Sequence, residues 1–131
     1  MAFQIIRIKA HTLEVCTAGM PPLFIYNKQK NEVEEILLKA LPLGGFSGQT
    51  YEKRSYSLSP GDVVLSFSDG FPERFNERGE MLGYQRVKKI LKDASSQSPA
   101  EIIAHLIQAG ETWAGKQAQH DDETFMVLKV K

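Results

Sequence analysis

No aspartate occurs in the first 60 residues of this 131-residue chain; all five lie at positions 62, 69, 93, 121 and 122. Cysteine is nearly absent as well. Cys16 stands alone, which excludes an internal disulfide framework and a cysteine-rich zinc site and suits a reducing compartment. Neither sign of charge predominates: sixteen Lys and Arg balance sixteen Asp and Glu, so the basic footprint of a nucleic-acid binder is missing. No run approaches the roughly 18 apolar residues of a membrane span, and the first residues lack the apolar stretch of a signal peptide. The expectation is a soluble cytoplasmic chain with neither nucleic acid nor membrane as partner. Its length suits a single domain, residues 1–131, with one core that removes roughly 65–70% of the unfolded surface from water.

What is present reads first as strands. Phe3, Ile5, Ile6 and Ile8 mark one over 3–9, and Leu13, Val15 and Thr17 mark a second over 13–18. Ala18-Gly19-Met20-Pro21-Pro22 interrupts the pattern as a turn with a stiff exit into Leu23-Phe24-Ile25-Tyr26. Residues 27–31 form a hairpin loop, 33–38 a fourth strand, and the glycine-rich 41–48 a shaped loop. Strands follow over 51–58 and 63–68, with the turn Ser59-Pro60-Gly61-Asp62 between them. The period then changes. Tyr84, Val87, Ile90, Leu91 and Ala94 predict an amphipathic helix over 84–95. A second helix starts at Ser98 as N-cap, with Pro99 at its first position and Glu101 as the capping-box acid. Ile102, Ile103, Leu106, Ile107 and Trp113 form its expected buried stripe, and 124–130 closes the chain as a strand. Strands, then two helices, then one strand argue for an α+β fold with helices laid on antiparallel sheet.

Two strand ends carry carboxylates. Ser68-Asp69-Gly70 follows Val63-Val64-Leu65-Ser66-Phe67, and Asp121-Asp122 precedes the last strand. Each is an ordinary feature alone: Asp-Gly is a common turn pair, and adjacent aspartates suit a solvated loop or an Asx turn. Together they suggest hard oxygen ligands converging from separate strand ends on Mg²⁺ or Mn²⁺, as a two-metal hydrolase requires.

The ordered set Ala-Gly-Met-Pro-Pro (18–22), Leu-Pro-Leu-Gly (41–44), Gly-Asp-Val-Val-Leu-Ser-Phe-Ser-Asp-Gly (61–70), Glu73, Asn76, Gly79-Glu80, Gly83 and Asp-Asp-Glu-Thr (121–124) resembles the metal-dependent protein serine/threonine phosphatases, the PPM family, and most nearly its bacterial SpoIIE-like branch. The resemblance implies an antiparallel β-sandwich flanked by helices, of αββα type and here incomplete, with 1–131 as the C-terminal portion of the domain. It implies that Asp69 and Asp121 are metal ligands, that Gly70 meets the backbone requirement of the same turn, and that Asp122 is a further acidic site residue. It also implies two Mn²⁺ or Mg²⁺ ions, and attack by metal-activated water on phosphoserine or phosphothreonine of a regulatory protein such as an anti-sigma-factor antagonist. The branch's early bridging aspartate has no counterpart in residues 1–60, and Glu14 lacks the glycine that would follow it.

That departure predicts exposed sheet edges, a homodimer, and weak or no activity of the chain alone. A non-catalytic phosphoprotein-binding module on the same scaffold is the alternative; balanced charge speaks against a two-metal nuclease. Met20 stands where many relatives carry histidine and is expected to pack under its turn. His120 is expected as a surface loop residue, Phe71, Phe75 and Tyr84 as packing residues, and Arg74 and Arg86 in exposed salt bridges.

Overall fold

A computed structural model describes all residues, 1–131. The apolar runs Leu23–Tyr26 and Val63–Phe67 become two neighbouring strands buried on both faces, and the rest of the molecule is arranged around them. In chain order the elements are β1 (Phe3–Lys9), β2 (Thr12–Ala18), β3 (Leu23–Asn27), β4 (Glu32–Ile36), β5 (Lys53–Ser57), β6 (Val63–Phe67), α1 (Gly83–Ala94), α2 (Pro99–Ala114) and β7 (Phe125–Lys129). They form two antiparallel sheets, one ordered β1-β2-β5 and the other β4-β3-β6-β7.

In place of the single core expected from length, alternation along β3 and β6 sends side chains to two cores, one on each face of their sheet. Leu23, Ile25 and Val64 meet Leu13, Val15, Ile36, Leu38 and Leu58 between the sheets. Phe24, Tyr26, Val63, Leu65 and Phe67 face the helices, where Val87 and Leu91 of α1 and Ile102 and Leu106 of α2 cover them. Phe24 and Phe67 meet edge to face at 5.1 Å between ring centres. This is the expected α+β sandwich with its helices on one side only. The outer face of β1-β2-β5 has no helix over it, and Phe3 and Ile5 there are 45% and 56% exposed. No helix is long and apolar enough to cross a membrane.

Several expectations shift. The fourth strand stops at Ile36, two residues early, and β5 is the shorter Lys53–Ser57. Ile107 is 41% exposed and lies outside the buried stripe of α2, which follows the four-residue row Ile102, Leu106, Gly110, Ala114. Gly110 sits in that row because the Phe71 ring comes within 2.8 Å of where a Cβ would stand. The start of α2 is as expected: Glu101 donates its backbone N–H to Ser98 Oγ at 3.3 Å, and its carboxylate accepts from the Ser98 N–H at 2.8 Å.

Asp62 is more than a turn residue. Its buried carboxylate accepts the backbone N–H of Lys28 at 2.9 Å and of Ser59 at 2.8 Å, and its carbonyl accepts from Val130 at 2.9 Å. One side chain thereby ties the β3–β4 loop to the entry of β6, beside the end of β7. Asp62→Ala orphans both donors and should lower unfolding stability by about 3 kcal/mol in urea titrations. Glu101 tests the cap separately. The Ser98 hydroxyl, and then the Ser98 backbone, hold its carboxyl below the ordinary glutamate value of 4.5. A depressed folded value means that the stabilisation is complete above 4.5 and is lost as pH falls below that through the lower, folded value. Glu101→Gln is therefore expected to be less stable than the parent at neutral pH and to converge with it in acid.

Candidate metal site

The site follows from strand register. β6 and β7 pair with Phe67 opposite Phe125, so the residue after one strand must meet the residue before the other. Ser68 fastens that junction: its N–H donates to the Thr124 carbonyl at 3.1 Å, and its Oγ donates to the Asp122 carbonyl at 3.0 Å while accepting the Thr124 N–H at 2.9 Å. Sequence reasoning passed over Ser68; a hydroxyl directly before Asp69 and a threonine directly after the acidic run were the available signals.

Gly70 lies against the second aspartate segment. Its φ is not positive, so the turn does not demand glycine for its backbone angles. The requirement is space, since a Cβ would stand 2.5 Å from the Asp122 carbonyl oxygen and 3.3 Å from the Asp121 Cβ. Asp69, Asp121 and Asp122 are exposed. Asp121 Oδ1 accepts the Asp122 N–H at 2.7 Å, a local Asx contact, and its carbonyl accepts from Gln119 at 2.8 Å.

The carboxylates open onto two depressions. Asp69 lines one of about 270 Å³ with Gly19, Met20, Pro21, Glu35, Glu73 and Tyr84. Asp121 lines another of about 250 Å³ with Gly70, Glu73, Arg74, His120 and Glu123. Glu73 borders both. The motif loops converge here too: Gly19, at φ +68°, would place a Cβ 2.6 Å from Pro42, so the 18–22 turn rests directly on the 41–44 loop. Burial, and then the negative charges of Glu73, Asp69 and Glu35, push the Tyr84 hydroxyl above its ordinary value.

Around the site, Phe71 is fully buried, Tyr84 is half-buried, and Phe75 is 43% exposed, so Phe75 packs less than expected. His120 is exposed beside Asp121, as a loop residue. The expected surface role of Arg74 is corrected. Its guanidinium meets Glu123 at 3.0 Å with side chains only 12% and 8% exposed, and removing one partner of such a pair typically costs about 3–5 kcal/mol. Arg86 makes no ion pair; it stacks 4.2 Å over the Trp113 ring and donates to the Leu82 carbonyl at 3.1 Å.

The donor set consists of hard oxygens, which suits Mg²⁺ or Mn²⁺. It is incomplete. Asp69 and Asp121 approach from either side of Gly70, yet no three His, Cys, Asp or Glu side chains converge closely enough to hold an ion. The residues present fit a share of a metal site and not a whole binuclear one.

Comparison with known proteins identifies the family and the fold. Residues 1–131 match the family model described as Stage II sporulation protein E (SpoIIE). The chain is 28% identical over 121 residues to the phosphoserine phosphatase RsbU of Bacillus subtilis (strain 168), a match covering 92% of this chain and 36% of that protein. It thus spans about a third of that curated relative. The PP2C phosphatase domain with a fragment of the regulatory domain of the cell fate determinant SpoIIE from Bacillus subtilis superposes with a TM-score of 0.79 at 23% identity, covering 98% of this chain and 37% of that one. The SiaA-PP2C domain of Pseudomonas aeruginosa gives 0.77 at 21% identity, covering 92% and 47%. These structural likenesses establish a shared fold.

The close approach at Gly70 yields a direct test. Gly70→Ala must push the 121–122 backbone away, so it should lower stability by about 1–3 kcal/mol, the usual scale of overpacking. In amide exchange the loss should appear first at Ser68 and Thr124, whose mutual bonds span the junction.

Proposed function

The chain belongs to the SpoIIE family, and from that membership we propose that it is the C-terminal portion of a metal-dependent protein serine/threonine phosphatase domain. The observation that carries the reading is the close approach of Gly70 to the Asp121-Asp122 segment across the β6–β7 junction, which brings the residues flanking both strand ends together. Asp69, the Gly70 backbone and Asp121 would hold Mn²⁺ or Mg²⁺, with Asp122 as a further acidic group at the same edge. When bound, such ions activate water for in-line attack and neutralise charge on the phosphoryl oxygens. The protein's own part is placement: Ser68 bonds both segments, and Gly70 lets them touch.

The substrate class is phosphoserine or phosphothreonine on a bacterial regulatory protein, such as an anti-sigma-factor antagonist. Support comes from the name of the phosphoserine phosphatase RsbU and from family analogy. The setting is signal transduction in the cytoplasm. The open edges of β1 and β7, with Phe3, Ile5 and Met126 exposed near them, support pairing of two copies as a homodimer.

Because no three acidic or histidine side chains converge, the chain on its own turns over slowly or not at all. The same observation favours the second reading, a phosphoprotein-binding module on the phosphatase scaffold. Both can be separated with an aryl phosphate and a phosphoserine peptide in the presence of Mn²⁺. The phosphatase reading expects weak metal-dependent hydrolysis that falls by more than about tenfold in Asp69→Asn and in Asp121→Asn, the scale seen even when only the partners of metal ligands are changed. Hydrolysis indifferent to both substitutions would sink it. Phosphopeptide binding that persists in the double variant, without turnover in the parent, would establish the binding module instead.

A further inference from the structure

Between Gly115 and Thr124 the chain has no helix or strand, and Glu123 is the one side chain in that stretch that is not exposed. Its carboxylate meets Arg74 and no other group. We propose that Arg74 and Glu123 are a positioning pair that fixes where the Asp121–Asp122 segment lies against Gly70. This deepens the phosphatase reading, on which it rests for the importance of Asp121.

Arg74 is suited to the task because it is itself immobilised. Its carbonyl accepts the Leu82 N–H at 2.9 Å and the Trp113 Nε1–H at 3.2 Å, which ties it to the start of α1 and to α2. Its guanidinium lies beside Gly110, where a Cβ would stand 3.4 Å from Nη1. Buried Nε has no partner, so Glu123 is the single acceptor that the guanidinium has in the protein. Each charge therefore depends on the other. A shift of the 121–123 segment by one residue would bury two unpaired ions, whereas an apolar contact would tolerate sliding. Arg74 lies five residues after Asp69 and Glu123 two after Asp121, so the pair joins the two aspartate segments at a point that neither aspartate side chain supplies.

Amide hydrogen exchange on the whole chain reads the proposal without any metal. Glu123→Ala and Arg74→Ala should each speed exchange at Ser68, Asp122 and Thr124 by about tenfold or more while the paired amides of β3 and β6 stay protected. The double variant should be no worse than the worse single one, since the pair acts as a unit. Uniform acceleration through β3 and β6, or additive effects of the two substitutions, would overturn the proposal. Should the alanine variants fail to fold, Glu123→Gln keeps the volume and one acceptor oxygen. It should still raise exchange at Thr124, and parental exchange there would overturn the proposal equally. Mn²⁺ affinity, read by electron paramagnetic resonance, tests the other reading: a parent that binds no Mn²⁺ would count against the metal site and leave the pair to be judged by exchange alone.

Discussion

The antiparallel register of β6 and β7 is the constraint from which the site follows. With Phe67 opposite Phe125, Asp69 and Asp121 are brought to one sheet end although 52 positions separate them in the chain. Register is specified strongly because one step of slippage would turn Val63, Leu65 and Phe67 from the helix-covered core into the space between the sheets. The energy that holds the two aspartate segments at one end of the sheet thus comes from apolar side chains that never touch the carboxylates. Asp62 holds the opposite end of β6, so that strand is fastened at its entry by a buried, satisfied carboxylate and at its exit by Ser68.

A β-strand buried on both faces makes a rigid mount, and loops carried by such mounts can place functional groups reproducibly. The two loops here differ in how they are secured. Residues 69–74 turn back under Phe71, which packs edge to face on Phe125 at 4.8 Å and against α2 at Gly110. Residues 115–124 have no comparable apolar anchor; their start is held by the Lys116 N–H donating to Glu77 at 3.1 Å, and their end by Ser68, Gly70 and Glu123. Polar fastening is directional, which sets orientation; it also makes this loop the one that a single substitution can release.

Much of this was legible in the sequence. The strands at 3–9, 23–26 and 63–68, the change of period after Asp69 and the Ser98–Glu101 box all read correctly, because each rests on local chemistry or on a period that burial enforces. The ordered motifs pointed to the family to which the chain belongs. Features that depend on distant partners were not legible. Asp62 looked like a turn residue because only its Ser59 contact is local while its second donor, Lys28, lies 34 residues away, and Arg74 looked like a surface ion because its partner lies 49 residues away. Gly70 was read as a glycine needed for a sharp turn, yet the space it leaves is taken by the Asp122 carbonyl. Ile107 failed for a subtler reason: a helix stripe read from hydrophobicity alone cannot tell which of two adjacent apolar rows faces the sheet.

Electrostatics explains why a partial site is stable as it stands. Carboxylates brought close together without a cation repel, and the repulsion grows as solvent is excluded. Here the acids are spread. Glu35 is neutralised by Lys88, Glu123 by Arg74, and Asp69 and Asp121 line separate depressions that share only Glu73. Burial, and then the negative field of Glu73 and Asp69 above all, pushes the Tyr84 hydroxyl up. A tighter cluster would bind a divalent ion more strongly, but it would also oppose folding whenever the ion was absent. The spread arrangement found avoids that cost, since no three acidic side chains gather at one point.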